Sequence, residues 1–290
     1  MFDQASKLRE LAAKKGTAHR KPDMSNFRTI AIVSGKGGVG KTNIALNLAI
    51  ALAQQEKKVI VLDADLGMAN VEILLGIVTR HNLFDVLKGQ KHLAEIILEG
   101  PLGIKIISGG SGLGEITSID KQRQELLWEQ LKSVCKDTDY LFIDCGAGIS
   151  KTAMGFISAA DEVLVILTPE PTSITDAYSV IKVLSKSEIN SQVFLVVNKA
   201  ANIEEANATA DKIETVSNKF LNIDIKRLGY ISKDPGVEKA VYSQQPFVIF
   251  NPKCQAADDV KQLSKNLIEG EMRPSKGMDN FIGKIFKLFA

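Results

Sequence analysis

Cysteine is scarce in this chain and poorly placed for chemistry. Cys135, Cys145 and Cys254 are the only three in 290 residues, and no two form a C-x-x-C pair. That offers no pair for a cysteine-held metal or iron–sulfur cluster and no even-numbered disulfide framework, and it fits a reducing cytosol. Long apolar runs are also missing: none approaches the ~20 residues needed to span a bilayer. The first residues are charged and lack the apolar core of a secretory signal. Net positive charge is slight, +2 overall, and unevenly spread. Residues 1–28 carry seven Lys/Arg against three Asp/Glu, and residues 271–290 four against two, which leaves the middle at −4. A middle of that sign lacks the basic face of a non-specific DNA binder, so DNA is not an expected partner. Basic ends suit a membrane surface or an acidic partner better.

What is present is a phosphate-binding loop. Residues 34–42 read Ser34-Gly35-Lys36-Gly37-Gly38-Val39-Gly40-Lys41-Thr42. They fit G-x-x-x-x-G-K-[ST] directly after the apolar run Thr29–Val33 and before a helical pattern, the setting that separates a real loop from a chance match. Glycines let backbone N–H groups turn onto phosphate oxygens, and the following helix points its positive end at the same anion. Lys41 is placed to reach the β- and γ-phosphates, and the Thr42 hydroxyl to ligate Mg²⁺. The expected nucleotide-binding set is Gly35, Lys36, Gly37, Gly38, Val39, Gly40, Lys41, Thr42 and Asn43, with Asn198 from further along.

Short β-branched runs alternate with helical patterns from residue 29 to 269. Expected strands are Thr29–Ser34, Val59–Asp63, Ile104–Ser108, Tyr140–Asp144, Val163–Thr168, Val193–Val197, Arg227–Ile231 and Phe247–Phe250. Several are apolar throughout, as in strands covered on both faces. Helices are expected over Thr42–Gln54, Lys121–Cys135, Ile174–Lys186, Glu204–Phe220 and Asp258–Ile268. The pattern predicts an α/β doubly wound three-layer fold around a mostly parallel sheet of about eight strands. Ligands in such folds sit at the carboxyl ends of the strands. Domain bounds follow: 1–28, an N-terminal helix and basic linker; 29–269, the nucleotide-binding domain; 270–290, a linker and C-terminal helix.

Two expected strands end in carboxylates. Val61-Leu62-Asp63-Ala64-Asp65 carries a pair at i and i+2, and Tyr140-Leu141-Phe142-Ile143-Asp144 is the mechanical description of a Walker B element. A magnesium–nucleotide site needs one group to order the metal's water shell and another to position the attacking water. Helix capping is the alternative role for the first pair. Asp144 would bind Mg²⁺ through water, and Gly146 and Gly148 follow it in a loop able to change shape. Val197-Asn198-Lys199-Ala200-Ala201 is similar to the N-K-x-D of GTPases, but Ala201 stands where the aspartate belongs. Leaving guanine's N–H donors unpaired would cost ~1–3 kcal/mol, so ATP is the expected nucleotide. Asn198 could pair with adenine or cap the next helix. Ser173 and Asp176 suit a helix N-terminus.

With Lys36 inside it, the run Lys36-Gly37-Gly38-Val39-Gly40-Lys41-Thr42 resembles the deviant Walker A motif of the MinD/ParA ATPases. The resemblance implies an ATP-dependent homodimer in which Lys36 crosses to the partner's nucleotide as an arginine finger would. It implies that Asp65 positions the attacking water while Asp63 supports the metal. Residues 168–177 also resemble MinD relatives, which implies that Glu170 touches the partner's nucleotide and Asp176 lies near the dimer interface. Cofactors implied are ATP and Mg²⁺, with slow, regulatory hydrolysis.

Both ends carry amphipathic patterns. Phe281, Ile282, Ile285, Phe286, Leu288 and Phe289 fall within one helical arc, with Lys284 and Lys287 on the other side. So short a peptide is below the ~12–15 residues of marginal helicity in water, and its pattern matches an interfacial anchor on anionic lipid; packing back onto the core is the alternative. At the other end Leu8, Leu11, Ala12 and Ala5 line one face, which by composition could bind any partner or none. Asp3-Gln4-Ala5-Ser6-Lys7-Leu8-Arg9 resembles the D-Q-A-x-x-L-R element of the flagellar-number regulators (the FlhG/FleN group). The resemblance implies docking of Asp3, Gln4, Leu8 and Arg9 on an SRP-type GTPase (FlhF-like), possible contacts with flagellar switch proteins or a transcription regulator, and control of flagellar number or placement. The expected location is cytoplasmic, reversibly peripheral at the inner face of the cell membrane. Cell-division site selection, as in MinD, and ParA-like DNA partition are the alternatives.

Overall fold

The computed structural model describes residues 27–65, 70–110, 121–187, 191–221, 223–270 and 277–289. Eight strands form one sheet in the order β3-β4-β2-β5-β1-β6-β7-β8. These are β1 (Arg28–Val33), β2 (Val59–Ala64), β3 (Leu98–Glu99), β4 (Lys105–Ser108), β5 (Tyr140–Cys145), β6 (Glu162–Leu167), β7 (Gln192–Ala200) and β8 (Ile225–Ser232). Every pairing is parallel except β3 with β4. All residues of β1, β2, β5 and β6 are buried, which is why their sequences are apolar without alternation.

Side chains still alternate between two cores, as the pleat requires. Ala31, Val33, Leu141, Ile143, Val163 and Val165 join one apolar cluster. Ile30, Ile32, Phe142, Leu164 and Ile166 join the other. The second cluster is filled largely by helix α1 (Lys41–Ala53), whose residues Ile44–Leu52 are all buried. A helix apolar all round must be covered on all sides, and Ala256, Val260, Leu263 and Leu267 of Gln255–Glu269 cover its outer side. At the base of the sheet Arg28 makes a buried ion pair with Glu162 at 2.6 Å. The same guanidinium donates to the Leu267 carbonyl at 2.6 Å, tying the last turn of that helix to β1.

One expectation is corrected. Phe247–Phe250 is a helical turn rather than a strand. Pro246 sets the entry angle, Phe247 and Val248 enter the core, and the Val248 N–H donates to Asn47 Oδ1 at 3.0 Å. Four apolar residues carry no period long enough to separate helix from strand. The eighth strand is instead the short antiparallel edge Leu98–Glu99.

The C-terminal helix takes the alternative placement, packed back onto the core. Residues Gly277–Phe289 are helical and pack against the helix Lys151–Ala159. Met278, Phe281 and Ile285 are buried as members of the first core cluster, so this face is not offered to solvent in the monomer. Lys284 Nζ donates to the Ser158 carbonyl at 3.0 Å, at the carboxyl end of the partner helix where a cation is favoured. The helix outlasts its weak intrinsic propensity because tertiary packing supplies what length does not. The side chains of Ile282, Phe286 and Phe289 lie outside the described residues, as do residues 1–26 with Asp3, Gln4, Leu8 and Arg9.

Candidate active site

β1 is central, flanked by β5 and β6, so the loop leaving it opens where the strand order reverses. That is the crevice in which a doubly wound sheet binds its ligand. Residues 34–40 wrap into the start of α1, with Gly38 at φ +79° and Gly40 at φ +92° in the left-handed region. At Gly35 the constraint is space. A Cβ there would lie 2.3 Å from the Asp176 carbonyl carbon. Ser34 Oγ donates to the Lys36 carbonyl at 3.0 Å, and the Gly148 N–H donates to the Ser34 carbonyl at 2.9 Å. The phosphate loop is thereby tied to the loop that follows β5.

Two carboxylates, Asp144 and Asp63, lie within the influence of the Lys41 ammonium. Parallel register sets Asp63 beside Asp144 on adjacent strands. Lys41 Nζ bonds Asp144 Oδ1 at 2.5 Å, with both side chains nearly or wholly buried. Burial pushes the Asp144 carboxyl upward, and the Lys41 charge and a hydrogen bond from Thr42 oppose that rise. Asp63 rises to about 7, chiefly through burial and then through the nearby Asp144 charge. Both its oxygens accept backbone N–H groups, from Asp65 at 3.1 Å and Val71 at 3.3 Å. Asp63 therefore holds the segment carrying Asp65 against the end of β2. Asp65 Oδ2 in turn accepts from Asn70 Nδ2 at 3.4 Å. Its carboxylate rests against Gly146, where a Cβ would approach Oδ1 to 3.2 Å.

Lys36 lies on the rim. Its ammonium bonds Glu170 Oε2 at 2.5 Å and Thr172 Oγ1 at 3.0 Å, within the same chain. This ion pair, more than half exposed on the Glu170 side, holds that carboxyl below its usual range. Glu170 precedes Pro171, the first residue of the helix Pro171–Lys186. Asp176, in the second turn of that helix, packs its backbone on Gly35. Asn198 Nδ2 donates to the Val39 carbonyl at 2.7 Å while its Oδ1 accepts from the Lys199 N–H. One N–H and one lone pair of the amide remain for a base edge.

Beside the loop opens a cleft of about 520 Å³. Ile44, Ile231, Val237 and Phe247 supply apolar walls, and Asn43, Asn198, Ser232 and Asp234 a polar edge. The region after β8 escapes sequence reasoning, because its residues meet the cleft only through tertiary packing. The one local signal is Asp234-Pro235: the Asp234 carboxylate caps the helix Pro235–Tyr242 by accepting from the Gly236 N–H at 2.7 Å.

Comparison with known proteins gives this geometry a family. The AAA_31 model, described as an AAA domain, matches residues 27–199. The chain is 35% identical to the antiactivator FleN of Pseudomonas aeruginosa over 84% of its own length and 87% of the relative's. It is 33% identical to the flagellum site-determining protein YlxH of Helicobacter pylori over 99% of both chains. The chain belongs to the MinD/ParA-type ATPases. Among solved structures, MinD of Pyrococcus horikoshii complexed with Mg-ADP is 28% identical, with a TM-score of 0.67, covering 84% of this chain and 96% of that one. The expected α/β fold with a mostly parallel eight-stranded sheet is borne out.

For a MinD/ParA-type ATPase the site residues fit a magnesium nucleotide. Among the described residues, Asp144 Oδ2 is buried and has no hydrogen-bond partner. Thr42 is near enough to the same carboxylate to favour its charged form. Hard oxygen donors around an unspent lone pair are what Mg²⁺ takes, with waters completing its shell. Lys41, Thr42, Asp63, Asp65 and Asp144 thus come together as the sequence suggests. Lys36, Glu170 and Asn198 line the same mouth. Thr172 and Lys199 are additions that the sequence did not single out.

Proposed function

We propose that this protein is an ATP-dependent, dimerising regulator of flagellar number or placement. Support comes chiefly from the alignment with the flagellum site-determining relative, which spans 99% of both chains and so includes both amphipathic ends. The MinD of Bacillus subtilis is 30% identical over 84% of this chain. That likeness keeps cell-division site selection as the second reading.

ATP enters with its phosphates on the loop N–H groups and its base in the adjoining cleft. Lys41 exchanges the Asp144 carboxylate for the β- and γ-phosphates. Thr42 and Asp144 are the residues that would hold Mg²⁺, which when bound neutralises the phosphate charge. Asp65 holds the attacking water in line. Lys36 leaves Glu170 and Thr172 to reach the nucleotide of a second copy. Since that rim contact is partly solvated, breaking it costs little. The output passes through the N-terminal segment to an SRP-type GTPase.

Membrane attachment requires the C-terminal helix to leave its seat on Lys151–Ala159. Burying a large apolar side chain stabilises by about 1.5–3 kcal/mol, and Met278, Phe281 and Ile285 are all buried. Ordering the chain offsets part of this, so the docked helix resists release by a few kcal/mol. Two tails on one ATP dimer gain avidity of ~10²–10⁴-fold if both reach the lipid.

The test is light scattering and sedimentation with anionic liposomes, using Asp65→Ala at saturating ATP. Dimers that sediment only with ATP, and that stay in solution once residues 277–290 are removed, are the expected result. A monomer under every condition would overturn the proposal. Addition of the partner GTPase then separates the two readings, because only the flagellar one predicts stimulation that depends on residues 1–26.

A further inference from the structure

The phosphate loop is held from outside by a pair of neighbouring residues on β7. Lys199 Nζ donates to the Gly38 carbonyl at 2.9 Å, beside the Asn198 bond to the Val39 carbonyl. Two consecutive carbonyls of the loop are thereby pinned toward β7. A trans peptide is planar, with its C=O and N–H pointing opposite ways. Pinning the Gly38 and Val39 carbonyls therefore turns the Val39 and Gly40 N–H groups away from β7, back into the loop's concave side. Those are groups that a phosphate must meet.

Three features show that this arrangement is built. Lys199 holds φ +58°, a left-handed backbone that a long side chain adopts only when its surroundings impose it. The β7–β8 ladder breaks there too: Asn198 pairs with Ile231 and Ala200 with Ser232, leaving Lys199 as the extra residue. An irregularity of this kind re-aims a side chain, and such features gather beside active sites. On the loop side, a Cβ on Gly40 would lie 2.5 Å from Asn198 Nδ2, so glycine is what admits the contact.

We infer that Lys199, with Asn198, is a positioning residue that presets the phosphate loop for the anion before nucleotide arrives. The inference rests on the reading of residues 34–42 as a nucleotide site. The amide N–H groups are then aimed in advance, and less ordering accompanies binding. Lys199 acts through the loop; its side chain also borders the cleft proposed for the base, which adenosine tests separately. Its neighbour Glu170 feels its charge, which links this strap to the rim where Lys36 sits.

The experiment compares wild type with Lys199→Met, Lys199→Arg and Lys199→Gly, measuring affinities for ADP and for adenosine by displacement of a fluorescent ADP analogue. Lys199→Met keeps the stem and removes the donor. It should weaken ADP binding by about two- to fivefold, the scale of one solvent-exposed charged contact, while adenosine affinity stays unchanged. Lys199→Arg should recover most of the ADP affinity, since a donor again reaches the carbonyl. Lys199→Gly relieves the left-handed backbone yet lacks the strap, so it should bind ADP as poorly as Lys199→Met. Equal loss for ADP and adenosine would overturn the inference, as would Lys199→Met binding ADP like wild type. Wild type that binds no ADP would instead refute the nucleotide reading beneath it.

Discussion

Replacing Lys41 by alanine should do more than abolish nucleotide binding; it should make folding stability depend steeply on pH. Asp144 is fully buried, and the Lys41 ammonium 2.5 Å away compensates its charge. Removing one partner of a buried pair costs about 3–5 kcal/mol when the other stays ionised. The carboxyl, however, can take up a proton. Burial already raises its pKa, and loss of Lys41 removes the largest opposing influence. In Lys41→Ala the folded protein would bind a proton more tightly than the unfolded chain, so stability falls as pH rises from near the unfolded value of 3.8 through the raised folded pKa. At roughly 2–4 °C of melting temperature per kcal/mol for a domain of this size, the deficit should be small at pH 5 and reach about 6–20 °C at pH 8.5. Thermal denaturation without nucleotide, at both pH values, measures it. The double variant Lys41→Ala/Asp144→Asn should regain most of the loss and flatten the profile. An equal deficit at the two pH values, or no recovery in the double variant, would refute the claim that charge compensation holds this pair together.

Asp63, pushed up to about 7, should itself cost stability as pH rises between about 4 and 7. Asp63→Asn should therefore melt progressively higher than wild type on going from pH 5 to pH 8; a constant difference would discount the shift. Asp65→Ala should keep ADP affinity within a few-fold yet lose phosphate release by 10² or more, the scale of a positioned acid–base group. Measured phosphate release close to wild type would remove Asp65 from the mechanism. At the opposite end of the sheet, Arg28→Met leaves Glu162 unpaired in a buried setting. It should cost about 3–5 kcal/mol in urea denaturation, and nucleotide affinity should follow only the fraction folded.

Much of the site was legible because its parts are short and local. Ser34–Thr42 is a continuous motif whose glycines answer to backbone conformation, and the fully apolar strands announce a sheet covered on both faces. Asp63 and Asp144 end such strands, and parallel register then places them side by side. Ligand choice was partly readable too, from the missing carboxylate at Ala201. The strand assigned to Phe247–Phe250 failed because four apolar residues have no measurable period, and Pro246 decided the matter.

Chain order alone thus determined the phosphate loop, the strand-end carboxylates and the layered α/β class, since each depends on neighbours within one or two turns of chain. Contacts across long separations decided the rest. Lys41 meets Asp144 across 103 positions, Lys36 meets Glu170 across 134, and Lys199 meets Gly38 across 161. The C-terminal helix shows the difference most plainly. Its amphipathic pattern fits a lipid surface and a protein groove equally well, because burial of apolar area has no direction. Only the apolar seat on Lys151–Ala159 determines that Phe281 and Ile285 lie inside the folded chain.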